Sequence, residues 1–277
     1  MINFTKYHGL GNDFIILKDK YLSGFDYSAL AKKICNRHTG IGADGFIVGT
    51  YNVRPEMAFY NSDGSRAEMC GNGIRCFAKF LHDEKIMTEN QFSIDTLAGP
   101  QLINIQSLSP FSVTVNMGKP DFKPKNIPAN TKNGKHKERI TNVPLIVNNQ
   151  TFYISSLLMG VPHSVVRVNS LQETDLNLVG KAIESHEWFP NRTNVDFIEV
   201  ITHSHIKMQT YERGAGLTLA CGTGACASAI MGNYLGYLNK EITVELPLGN
   251  LEIRIDSDNS VYMTGPAVKI CEGVFHE

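Results

Sequence analysis

Short runs in which apolar and polar residues alternate recur along most of the chain. NFTKYH, EMAFYN, QFSIDTL, QLINIQ and FSVTVNM in the first half, and TFYISSLLM, HSVVRV, NVDFIEV, HIKMQTYE, ITVEL, NLEIRI and VYMTG in the second, are rich in β-branched and aromatic residues and separated by turn residues. That is the pattern of strands in mixed sheets. Helical spacing is confined to fewer places: Ser28 to Arg37, with Ser28 as N-cap; Leu176 to Phe189; and the stretches after Cys70 and Cys221. Ile74, Phe77, Ala78, Phe80 and Leu81 in one of these, and Ala225, Ala227, Ala229, Ile230 and Tyr234 in the other, predict buried helices.

The last two helices begin alike, CGNGIRCFAKF at Cys70 and CGTGACASAIM at Cys221. One such turn falls in each half, among several strands, so the pattern predicts two pseudo-symmetric halves. A chain of 277 residues agrees, since domains usually hold roughly 100–150 residues. The expected fold is α/β (α+β), with residues 1–117 plus 263–277 forming the half that carries Cys70 and residues 118–262 the half that carries Cys221. Between Gly118 and Ile140 the sequence is poor in apolar residues and holds seven Lys or Arg against two acids, which predicts a solvated surface connection.

Composition narrows the function classes. The formal net charge is −1, so no global basic field exists to hold nucleic acid or an anionic membrane, and a small-molecule ligand is favoured. No apolar run approaches the roughly 18 residues of a spanning helix, and no export signal is recognisable, so a cytoplasmic protein with reduced cysteines is expected. Cys35, Cys76, Cys226 and Cys271 sit among apolar neighbours and read as core. Neither cysteine-headed turn has zinc-knuckle spacing and no H-E-x-x-H occurs, so no metal is assigned; His203 and His205 read as the polar face of a strand.

Glycines at 71, 73, 222 and 224 open the first turn of each helix, where backbone N–H groups can meet an anion and the helix dipole favours a thiolate. Buried cysteine beside closely packed glycine is the plain structural reading of either motif taken singly; a pair, one per half, favours a site in a cleft where the two helix starts face each other. There a thiolate and a thiol on opposite sides of an α-carbon would invert it by proton transfer, with no electron sink required. A hydrolase built on one Cys-His pair leaves the second turn unexplained. An amino-acid or phosphate-binding module, or a thiol redox sensor, uses the same two helix ends without this chemistry.

KYHGLGNDFIIL (6–17), RHTGIGADGFI (37–47), FYNSDGSRAEMCGNGIRCFAKF (59–80), YERGAG (211–216), ACGTGACA (220–227) and MTGPA (263–267) together resemble diaminopimelate epimerase over essentially the whole chain. The resemblance implies two pseudo-symmetric domains, each a mostly antiparallel mixed sheet around a central helix. It also implies cofactor-independent interconversion of LL- and meso-diaminopimelate, in the biosynthesis of lysine and peptidoglycan precursors, and a homodimer. Carried over by position, it makes Cys70 and Cys221 the catalytic pair. Gly71, Asn72, Gly222 and Thr223 become donors to the reacting carboxylate, Asn12, Asn61, Asn194, Glu212 and Arg213 substrate-binding residues, and His163 a polar support beside a thiol. Proline racemase relatives share paired cysteines, but YERGAG and HGLGNDF argue against them. Val161 stands where that family usually has Asn, removing an amide expected near the distal end of the substrate; a racemase for another amino acid is therefore the alternative within the enzyme class.

Overall fold

The computed structural model describes residues 1–18, 24–51, 53–130 and 139–276. The chain forms two compact units, Met1–Asn116 with Thr264–Glu277, and Met117–Met263.

In the first unit, β1 (Ile2–Gly9) turns at Leu10-Gly11 into β2 (Asn12–Lys18), followed by α1 (Tyr27–Ile34), β3 (Gly45–Tyr51), β4 (Pro55–Asn61), β5 (Arg66–Ala67), α2 (Gly71–Asp83), β6 (Gln91–Thr96), β7 (Gly99–Leu108) and β8 (Phe111–Asn116). The second unit runs β9 (Ile140–Val147), β10 (Gln150–Met159), β11 (Val161–Arg167), α3 (Leu176–Glu184), β12 (Asn194–Thr202), β13 (His205–Glu212), β14 (Gly216–Thr218), α4 (Gly222–Tyr234), β15 (Glu241–Leu246) and β16 (Gly249–Ile255). Then β17 (Val261–Pro266) carries the chain back into the first unit, where β18 (Val268–Phe275) pairs antiparallel with β1.

The two units repeat one topology. In the first, β1 is antiparallel to β2, β2 parallel to β3, β3 and β5 antiparallel to β4, β4 parallel to β6 and β6 antiparallel to β7. In the second, β10 to β16 repeat that sequence of pairings strand for strand. Register then makes residues equivalent: Phe14 with His163, Ile47 with Asp196, Asn61 with Glu212, and Gly73 with Gly224. Each long helix packs on the strands of its own unit. Ile74, Phe77, Phe80 and Leu81 of α2 and Ala225, Ala229 and Ile230 of α4 are buried as their spacing predicts.

Several details differ from the sequence reading. The N-cap of α1 is Asp26, whose carboxylate accepts from Ser28 N (2.9 Å) and Ala29 N (3.2 Å), while the Ser28 hydroxyl donates to Gly64 O. α3 stops at Glu184 with Ser185 as its C-cap, and turn bonds from His186 N to Ile183 O and from Phe189 N to His186 O carry the chain on to Pro190. Tyr234 ends α4 with 47% of its surface exposed, held by Phe122 and the Arg139 guanidinium rather than by the core. Cys271 is exposed on β18, not core, and His203 lies in the turn before β13, bonded to Tyr237 O. Lys119, Lys123 and Lys125 of the basic connection are exposed; its residues 131–138 lie outside the described residues.

Candidate functional site

Cys70 is the N-cap of α2 and Cys221 the N-cap of α4. Both have extended backbone, and each sulfur accepts the third N–H of its helix, Gly73 N at 3.4 Å and Gly224 N at 3.3 Å. A cap is normally an oxygen side chain. Gly71-Asn72 and Gly222-Thr223 supply the first-turn N–H groups, which lie ahead of the first intrahelical bonds, Ile74 N to Cys70 O and Ala225 N to Cys221 O.

Around Cys70, Asn72 donates through Nδ2 to Asn12 Oδ1 (3.0 Å), and Asn12 donates to Asp44 (2.8 Å). That chain is anchored by Asp13, bonded to Arg37, Lys6 and the backbone of Asp44. Burial opposes ionisation of Asp13, but the Arg37 and Lys6 hydrogen bonds outweigh it and hold the carboxyl below its usual range. Asn61, at the end of β4, bonds Ser65 Oγ (2.9 Å) rather than any of these residues. Arg75, one turn into α2, is fully buried, donating to Gly71 O and Pro266 O. The sequence gives it no distinguishing mark.

In the second unit Asn194 opens β12, accepts from Arg213 N (2.8 Å) and donates to Pro162 O (3.2 Å). Arg213 itself is exposed and reaches Asn191 O. Glu212, half-buried, accepts from Thr218 Oγ1 (2.6 Å) across the hairpin. Glu184 accepts from Gly214 N and Arg192, so the end of α3 fixes the turn that carries Arg213. Val161, first residue of β11, is half-buried.

Beside Cys221 stands a group that strand patterning does not reveal. His163 Nδ1 lies 2.8 Å from Asp196 Oδ2, and Thr210 donates to Asp196 Oδ1 at 2.8 Å; all three side chains are buried. A ring nitrogen of His163, a carboxylate oxygen of Asp196 and Cys221 Sγ lie within 4.8 Å of one another. Burial, joined by the carboxylates of Glu212 and Asp196, pushes the Cys221 thiol well above its ordinary range. The bonds from Thr223 and Gly224 N work the other way and lose. The thiolate expected from the helix dipole is thus overridden at Cys221.

The family model for diaminopimelate epimerase matches residues 4–123 and 155–270. The chain belongs to the diaminopimelate epimerase family. The diaminopimelate epimerase of Alkaliphilus metalliredigens is 42% identical over 99% of this chain and 97% of its own length, and that of Carboxydothermus hydrogenoformans 43% identical over 99% of each. Among solved structures, a Bacillus anthracis phenazine biosynthesis protein of the PhzF family superposes with a TM-score of 0.71 at 16% identity, covering 98% of both chains. A probable proline racemase from Agrobacterium radiobacter reaches 0.70 at 13%, covering 99% of this chain and 92% of that one. At these identities the two structures share the fold with this diaminopimelate epimerase family member, and no more than that is taken from them.

Proposed function

We propose that this chain epimerises diaminopimelate at one α-carbon, without cofactor, with Cys70 and Cys221 as the acid/base pair acting on opposite faces of that carbon. The observation that carries the reading is the repetition of one device: in two units of the same topology, a cysteine caps the central helix where glycine exposes the first-turn N–H groups. Full-length relatives named diaminopimelate epimerase support the substrate.

The α-hydrogen is a weak acid, so the negative charge that grows on the carbon and its carboxylate must be met by donors already in place. Gly71, Asn72, Gly222 and Thr223 are assigned that task. One sulfur removes the proton as thiolate while the other delivers one as thiol, and the reverse reaction exchanges their roles. Asn12, Asn61, Asn194, Glu212 and Arg213 are assigned to the remaining polar groups of the substrate, with Arg213 as the bidentate partner of a distal carboxylate. Lysine and peptidoglycan precursor synthesis is the setting that follows, with the cytoplasm as the compartment and a homodimer as the working assembly.

The test is NMR of the protein with LL-diaminopimelate in deuterated water, against a panel of other amino acids. Deuterium entering the α-position together with the meso isomer is the expected result. Exchange into another amino acid but not this one would move the reading to a different racemase. Binding without exchange would make the protein a binding module.

A further inference from the structure

The topological repeat makes one unit a control for the other. Beside the first turn of α2 stand Phe14 and Ile47, 1% and 0% exposed, which offer no metal-binding atom, so apolar packing suffices to support that helix start. At the equivalent positions beside the first turn of α4 stand His163 and Asp196, both fully buried. A Cβ built on Gly224 would collide with Asp196 Oδ1, and the second unit keeps a glycine where this polar pair leaves no room. His163 comes from β11, Asp196 from β12 and Cys221 from the cap of α4, so no spacing in the sequence announces the three as a group.

A ring nitrogen of His163, a carboxylate oxygen of Asp196 and Cys221 Sγ lie within 4.8 Å of one another. Zn²⁺ holds nitrogen, oxygen and sulfur ligands at about 2.0–2.3 Å in a tetrahedron, which sets them about 3.3–3.8 Å apart; the cluster closes on such an ion when each pair draws in by no more than about 1.5 Å. Sulfur and imidazole select a borderline ion of this kind over Mg²⁺ or Ca²⁺, which take oxygen. A thiolate and a carboxylate balance its two charges, so the loaded site is neutral, as burial favours. His163 has a lone pair to give. Its Nδ1 faces Asp196 at 2.8 Å, while Nε2 is buried with no hydrogen-bond partner, so no group among the described residues competes for it. Cys221 is 6% exposed and is the ligand an arriving ion meets first.

We propose that His163, Asp196 and Cys221 form an inhibitory site for Zn²⁺. The metal–sulfur bond forms as the thiol proton leaves to solvent, no electron is transferred, and the fourth position stays open to water. A sulfur held by the metal no longer takes a proton from carbon, so Cys221 is silenced while the ion is bound. The silencing rests on the two-thiol reading above; the site does not.

The intact chain, freed of metal with chelator and kept under a phosphine reductant, is titrated with Co²⁺ and then with Zn²⁺. One equivalent of Co²⁺ is expected to give a thiolate charge-transfer band and the visible bands of a four-coordinate ion, and Zn²⁺ to displace them. With Zn²⁺ bound, iodoacetamide labelling of Cys221, resolved by peptide mass spectrometry, should slow by about tenfold or more while Cys70 labels as before. Cys221→Ser, which keeps the helix cap, should lose the band, and Asp196→Asn should weaken Zn²⁺ binding by about 10–100-fold in competition with a chromogenic chelator. Absence of the band, its survival in Cys221→Ser, or equal protection of Cys70 overturns the proposal. Should Asp196→Asn not fold, the serine variant and the labelling decide alone. Diaminopimelate turnover should fall with Zn²⁺ occupancy and return with chelator; full turnover with Zn²⁺ on Cys221 would overturn the silencing. A chain that takes Co²⁺ on Cys221 but never epimerises diaminopimelate would defeat the functional reading and leave the metal site standing.

Discussion

At the first turns of α2 and α4 a sulfur does what an oxygen does in most helices, and this separates structure from chemistry at those two positions. Serine is a good N-cap, so Cys70→Ser and Cys221→Ser keep the acceptor for Gly73 N and Gly224 N while replacing a titratable thiol by a hydroxyl. Both variants are expected to melt within a few degrees of the wild type and to lose about 10²–10⁴-fold or more in epimerisation; near-normal turnover in either one would end the two-base reading. The equivalent glycines should differ. Gly224→Ala forces a methyl group against Asp196 and is expected to destabilise by roughly 1–3 kcal/mol or more, whereas Gly73→Ala meets its nearest atom, Cys70 Cβ, at 3.3 Å and should cost less. Denaturant titration of the two variants compares them directly. Cys70 and Cys221 could be found in the sequence because a cysteine before Gly-x-Gly announces an unusual helix start. Asp196 could not, because in NVDFIEV it reads as one polar residue of an alternating strand, and only its place between β11 and β13, with its carboxylate bonded to His163 and Thr210, makes it a buried partner of both.

At the element scale, alternation and β-branched content found most strands, including β11 and β12, and missed two that are covered on both faces, β2 and β3. β2 and β3 are buried through FIIL and GFIV, so their apolar runs carry no period of two and give no clean strand pattern. β9 alternates, but Pro144 within it argues locally against a strand. Helix ends were read less well than helix existence, since an N-cap depends on which oxygen turns inward: Asp26 does so and Ser28 is spent on Gly64. Glu184 shows how an element's end becomes part of a site. It holds Gly214 N at 3.1 Å, one residue from Arg213. Glu184→Ala leaves that N–H short of its acceptor and frees the turn, so KM for diaminopimelate should rise more than kcat falls, with a stability loss of about 1–3 kcal/mol. Steady-state kinetics separate the two effects, and a fall in kcat alone would contradict this account.

For the molecule as a whole, buried protonated groups set the response to base. Burial foremost raises Cys35 and Tyr237 to about 12 each, and burial likewise raises Cys76, Cys221, Tyr7 and Tyr51 above their ordinary values. Once unfolded, thiols titrate near about 8.5 and phenols near about 10. The unfolded chain therefore releases protons that the folded chain keeps, and the stability these groups contribute is complete below about pH 8.5 and declines as pH rises toward 12. Melting under reductant at pH 7.5, 9 and 10 should give a falling Tm; a Tm that rises over this range would be incompatible. The second unit is one continuous segment, whereas the first needs Thr264–Glu277 to supply the partner of β1. A released chain that ends at Met263 therefore holds the whole segment that houses Cys221 but lacks the last strand of the one that houses Cys70, and it should protect the later thiol from labelling reagents better than the earlier one.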